Sequence, residues 1–166
     1  KCPIRLAHLS AVLLLTLTSV GSASGEPGVF EDVTGSSGIT FEHNTGAFGK
    51  KWLPETMGSG VVAFHYDQDG RPDLLFLNGT RFPGQKGAKT TQSLCQNQGD
   101  FRFRDVTAKA GLDIEAYCMA GAAGDLDNDG DADLYLSCLG QDFLLVNEQG
   151  VYRDHSVAAG LPRDYE

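Results

Sequence analysis

Two stretches of this chain are near copies of each other. They are His65-Tyr66-Asp67-Gln68-Asp69-Gly70-Arg71-Pro72-Asp73-Leu74 and Asp125-Leu126-Asp127-Asn128-Asp129-Gly130-Asp131-Ala132-Asp133-Leu134. They stand at an offset of 60 (125 − 65 = 60), and Asp67/Asp127, Asp69/Asp129, Gly70/Gly130, Asp73/Asp133 and Leu74/Leu134 coincide. Gly60-Val61-Val62-Ala63-Phe64 precedes the first stretch and Leu74-Leu75-Phe76-Leu77 closes it; Gly121-Ala122-Ala123-Gly124 precedes the second and Leu134-Tyr135-Leu136 closes it. Short runs of this kind, bounded by Gly, Asp and Asn, read as strands joined by tight turns. Each acidic stretch is therefore a turn between two strands, and it occurs twice.

Working outward, a second motif occurs three times: Phe30-Glu31-Asp32-Val33-Thr34, Phe103-Arg104-Asp105-Val106-Thr107 and Tyr152-Arg153-Asp154-His155-Ser156. Each copy runs into a small-residue turn, at Ser37-Gly38-Ile39, Ala110-Gly111-Leu112 and Ala159-Gly160-Leu161. A third occurs twice, as Leu94-Cys95-Gln96-Asn97-Gln98-Gly99 and Leu145-Val146-Asn147-Glu148-Gln149-Gly150. Motifs recurring in one order are the mark of a solenoid, propeller or array. Strand is the reading throughout: Asp100-Phe101-Arg102-Phe103-Arg104 alternates as a half-buried strand does, and no later segment sustains a 3.6-residue apolar period. Thr80–Thr91, with Gly, Pro and the cations Arg81, Lys86 and Lys89, reads as a surface loop.

The turns carry the chemistry. Asp at positions 1, 3, 5 and 9 with Gly at 6 suits a hard divalent cation, which takes 6–8 oxygen ligands. In the second turn the side chains would be those of Asp125, Asp127, Asp129 and Asp133, with the Asp131 carbonyl at position 7. Carboxylates crowded into nine residues repel one another unless something positive sits among them. In the first turn Asp67, Asp69 and Asp73 remain, with the Arg71 carbonyl. His65 takes position 1, where an imidazole is a poor calcium ligand. Fewer carboxylates predict weaker affinity there. A helix–loop–helix calcium hand needs a Glu at position 12. Position 12 is Phe76 or Leu136, both in strand-like runs, so that alternative fails.

The 166 residues hold 22 Asp+Glu against 13 Lys+Arg, a net charge of −9. This argues against nucleic acid as a partner, since phosphate binding needs a basic footprint. Apolar content of 41% argues for a folded chain. No apolar run reaches the roughly 20 residues of a membrane-spanning helix. Residues 1–24 read as a secretory signal peptide: Lys1 and Arg5, then the apolar stretch Leu9 to Val20, then small residues with cleavage expected after Ala23. The mature protein is thus expected to be secreted, periplasmic or extracellular, where disulfides persist. Cys2 would leave with the signal. Cys95, Cys118 and Cys138 allow at most one internal pair. Cys118 lies seven residues before Asp125 and Cys138 five after Asp133. On two strands joined by the acidic turn, that spacing predicts a cross-strand disulfide.

The acidic turns resemble the calcium-binding loops of FG-GAP/VCBS repeats, which form blades of integrin-α-type β-propellers. The finer pattern is similar to the cartilage-acidic-protein-like family, whose members often carry an ASPIC/UnbV domain; no stretch here resembles that domain. The resemblance rests on Phe30–Thr34 with Gly38-Ile39, Pro54–Leu74, Leu94–Gly99, Phe103–Leu112 and Ala120–Leu136. It implies an all-β partial propeller of two blades and the start of a third, with calcium held by Asp125, Asp127, Asp129 and Asp133 and by Asp67, Asp69 and Asp73. His65 departs from the family's Asp. The units are drawn at about 29–92, 93–145 and 146–166 within a repeat region of 25–166. A propeller needs roughly 4–8 blades, so the chain is expected to be part of a longer ring, with the rest of that ring as a partner.

The functional expectation is a non-enzymatic, calcium-binding, exported module that presents loops to a protein or polysaccharide. One alternative is the non-catalytic part of a secreted enzyme. His43, His65 and His155 are scattered and no GxSxG occurs, so no catalytic constellation is visible. The other alternative is a lectin-like module using Trp52, the single Trp, although an inter-blade core position is the expectation for that side chain.

Overall fold

A computed structural model describes residues 30–82 and 84–163. The chain divides into two units, Lys1–Glu31 and Asp32–Glu166. The signal peptide expected over 1–24 lies outside the described residues. All the helices and strands among the described residues belong to the second unit.

Among the described residues, eight strands form two sheets. β1 (Val61–Phe64), β2 (Asp73–Phe76), β3 (Ser93–Asn97) and β4 (Phe103–Asp105) make the first; β5 (Cys118–Gly124), β6 (Asp133–Cys138), β7 (Phe143–Glu148) and β8 (Val151–Asp154) make the second. Both are antiparallel meanders in chain order. Propeller blades are four-stranded sheets of this form, and the acidic turns join the first two strands of each sheet.

One apolar core runs through both sheets, including Val62, Phe64, Leu75, Leu94, Leu134, Leu136 and Leu145. Leu75, Leu94, Leu134 and Leu136 are fully buried, each worth about 1.5–3 kcal/mol relative to exposure. β5 is built of small residues because β1 lies against it. A Cβ at Gly121 would come within 3.1 Å of both Leu136 Cδ2 and Val62 Cγ2. Between the sheets, Tyr66 stacks on Tyr152 of β8 with centroids 6.3 Å apart and donates to the Gly150 carbonyl at 2.6 Å.

Cys118 and Cys138 form a disulfide directly across β5 and β6, and among the described residues Cys95 is the free, buried thiol. Gly124 pairs with Asp133 beside the turn, but the register shifts by one between Cys118 and Ala120. That bulge at Met119 absorbs the unequal distances of the two cysteines from the turn.

The thrice-repeated motif closes three turns alike. Asp32, Asp105 and Asp154 each accept the backbone N–H two residues on, at 2.9, 2.8 and 2.9 Å. In the second and third copies the next hydroxyl, Thr107 or Ser156, accepts the amide of Leu94 or Leu144 at 2.8 or 3.0 Å. This ties the turn back to the third strand of its sheet.

Several expectations need correction. Strand is not universal: α1 (Thr34–Ser37) and α2 (Leu53–Thr56) are single helical turns. They are too short to show a period. α2 is set by Pro54 in its first turn and by Glu55, whose carboxylate accepts the amides of Phe48, Gly49 and Trp52 at 3.2–3.3 Å. Asp100 and Phe101 take φ of 50° and 55° in a turn, so β4 begins only at Phe103 and Phe101 is exposed. The alternation across 100–104 reflects turn chemistry. The third motif aligns differently: Leu75 pairs with Leu94 and Tyr135 with Leu144, so Leu94 corresponds to Leu144 and Asn97 to Asn147. The Asn-to-Gly spacing is one residue longer in the second copy, Asn147 to Gly150 against Asn97 to Gly99, while the connection between the strands is shorter there. The unit boundary at 92/93 falls between β2 and β3, inside one sheet, and that at 145/146 falls within β7, because a repeat period does not say where a sheet begins.

Trp52 is not in the core. It is 52% exposed, edge-on to Phe48 and Phe82 at 5.0 and 5.5 Å. Phe82, 3% exposed, takes the buried place and packs on Tyr117. The polar loop after β2 is anchored by Phe82 and Thr80 and is otherwise mostly exposed.

Candidate metal centre

Both acidic turns start from one backbone plan. Gln68 and Asn128, at position 4, have φ of 58° and 64°, and Gly70 and Gly130 have 81° and 94°. The left-handed pair at positions 4 and 6 bends the chain tightly enough for alternate side chains to face inward. Asp67 and Asp127 accept the amide two residues on at 3.3 and 3.2 Å; Asp69 and Asp129 do the same at 2.8 Å each. Asp73 and Asp133 end each turn and are fully buried. Asp73 accepts the Tyr66 and Asn97 amides at 2.8 and 2.7 Å; Asp133 accepts those of Leu126 and Asn147 at 2.7 and 2.8 Å.

The side chains then diverge. In the second turn, one carboxylate oxygen from each of Asp125, Asp127 and Asp133 lies within 4.8 Å of the others, the one such group among the described residues. Asp125 also accepts the Gly130 amide at 3.1 Å. Asp129 stands outside this trio. Asp131 turns its carboxylate outward, to the Gln68 amide of the first turn. Gln68 also reaches the Gly130 carbonyl at 3.0 Å, so the two turns are linked. Asp127 is pushed above the ordinary carboxylate range, first by crowding that strips its hydration and then by the charge of Asp129.

In the first turn no such trio forms among the described residues. His65 is exposed. Arg71 pairs its guanidinium with Asp69 and donates to the Asn97 carbonyl at 3.2 Å, while the Gln96 amide donates to Asp67. Burial pushes the Asp73 carboxyl up, opposed by its two amide donors. The repeat pattern alone gives Arg71 a role only for its carbonyl. Its opposite charge two residues after Asp69 is the sequence signal for the role of its side chain.

The donor chemistry gives a fit for one turn. Three carboxylates with an oxygen each within 4.8 Å of the others are hard oxygen donors, the kind of ligand a divalent cation takes. The first turn's carboxylates are held by a guanidinium and an amide, and they do not fit.

Residues 65–136 match the FG-GAP-like repeat family. The match begins at the first residue of the first turn and ends in β6, so it takes in both turns. No curated protein matches the chain.

Proposed function

We propose that this chain is an exported, calcium-stabilised propeller module with an adhesive or ligand-binding role and no catalysis of its own. The observation that carries the reading is the convergence of Asp125, Asp127 and Asp133, within a stretch matching the FG-GAP-like repeat. The trio would hold the cation, with Asp129 and the Asp131 carbonyl close enough in sequence to complete the shell. The ion would neutralise a turn that carries five carboxylates in nine residues, from Asp125 to Asp133.

Its contribution would be structural. A ligand that binds only the folded state adds RT ln(1 + [L]/Kd), about 2.7 kcal/mol at 100 Kd. The turn joins β5 to β6 and touches the first sheet through Gln68, so an ion there would brace one blade and its junction with the next. The test is thermal unfolding of the full chain in chelator and in calcium. A rise in melting temperature that disappears in Asp127→Asn supports the reading; no rise in the unsubstituted chain refutes it.

One observation favours carbohydrate as the ligand class. Trp52 stands half exposed beside Pro54, Phe82 and Leu139, lining an open hollow of about 500 Å³, its ring fixed by Phe48 and Phe82. A fixed, exposed indole offers an apolar face for a sugar ring. Glycan-array binding lost in Trp52→Ala supports this; binding unchanged by that substitution removes it.

A further inference from the structure

We infer that Arg71 is the resident cation of the first acidic turn, which closes without a metal ion. The inference deepens the reading of the second turn as a cation site, since it assigns the two turns different cations.

The contrast lies in side chains at equivalent positions on a shared backbone. Position 7 is Arg71 in one turn and Asp131 in the other. Across 65–73 the formal charge is +1 − 3 = −2, with His65 neutral; across 125–133 it is −5. The Arg71 guanidinium meets Asp69 and the Asn97 carbonyl together, spanning from the turn to β3. A guanidinium is always charged, and its planar fork holds carboxylate and carbonyl oxygens at fixed angles. Asp67, which would join a metal cage, is taken by the Gln96 amide. The residue equivalent to Gln96 in the second sheet is Val146, by the pairing of Leu74 with Cys95 and of Leu134 with Leu145. The valine side chain has no donor, and Asp127 converges with Asp125 and Asp133. Position 1 agrees, with an exposed imidazole in place of a carboxylate. Three substitutions, at positions 1 and 7 and on the facing strand, thus point the same way.

The test counts ions on the full chain by equilibrium dialysis with calcium and follows unfolding in chelator. The unsubstituted chain is expected to hold one ion, lost in Asp127→Asn and retained in Asp67→Asn. Arg71→Ala is expected to melt about 2–4 °C lower in chelator, as for an exposed ion pair with one further hydrogen bond, and to take up a second ion at millimolar calcium. Two ions on the unsubstituted chain, one of them lost in Asp67→Asn, would overturn the inference. So would an Arg71→Ala chain that melts unchanged in chelator and gains no ion. Should Arg71→Ala fail to fold, the ion count of Asp67→Asn decides. A chain that binds no ion at all refutes the second-turn reading instead, and the melting of Arg71→Ala in chelator still judges the first.

Discussion

Asp73 and Asp133 are structural equivalents. Each carboxylate is fully buried, and each accepts one amide from its own turn and one from the third strand of its sheet. Position 9 of the acidic turn therefore fastens the turn to the sheet whether or not an ion is near. Two amides on one buried carboxylate are charge-assisted bonds of the stronger kind.

Removing that acceptor should be costly in both sheets. Asp73→Ala and Asp133→Ala are each expected to lose about 2–4 kcal/mol, because two donors are left without partners. Urea unfolding in chelator measures this free of any metal contribution. Asp73→Asn and Asp133→Asn, which keep one acceptor oxygen, should lose less.

The disulfide between Cys118 and Cys138 closes a loop over a sequence separation of 20. Chain-entropy reasoning assigns such a loop about 3 kcal/mol. Thermal unfolding with and without reductant should show a loss of that order, absent in the Cys118→Ala/Cys138→Ala double variant. Cys95 should resist thiol reagents until the chain unfolds, since it is buried and burial pushes its thiol's pKa up.

Trp52 reports on the loop face opposite the acidic turns. With half its surface exposed, its fluorescence should be red-shifted and readily quenched by acrylamide. Phe82→Ala removes a buried neighbour and should change that signal while costing about 3–5 kcal/mol in denaturant unfolding. A blue-shifted, unquenched Trp52 would contradict its half-exposed placement.

Acid should loosen the last motif turn. Burial works to raise the Asp154 pKa, but the Ser156 hydroxyl and amide and the Arg163 guanidinium outweigh it and hold the pKa below its ordinary 3.8. A carboxylate with a depressed folded pKa contributes stability above its unfolded value and loses it as pH falls through the folded one. Asp154 should thus contribute fully above about pH 4 and progressively less below. Stability curves from pH 6 to pH 2 should be flatter in Asp154→Asn than in the unsubstituted chain.

The sheets are legible in the sequence because their signals are local. Short apolar runs on either side of Asp67–Asp73 and Asp127–Asp133 mark β1, β2, β5 and β6, and the cysteine spacing shows where β5 and β6 pair. What escapes depends on contacts distant in sequence. Trp52 is exposed because Phe82, thirty residues later, fills the buried place. Asp100 and Phe101 alternate like a strand yet take left-handed turn angles. His65 already sets the first acidic turn apart along the chain, but only the sheet register shows that Gln96 and Val146 occupy equivalent places beside the two turns. Arg71 is visible as a charge, but that its guanidinium reaches both Asp69 and the Asn97 carbonyl follows from the fold.

The proposed cage for a divalent cation is formed by Asp125, Asp127 and Asp133. Crystals of the full chain grown with calcium, and compared with crystals soaked in manganese for its anomalous signal, test it most directly. A peak is expected between those three carboxylates, with calcium–oxygen distances of about 2.3–2.6 Å. Density for water alone at that point, with the three side chains turned apart, would contradict it.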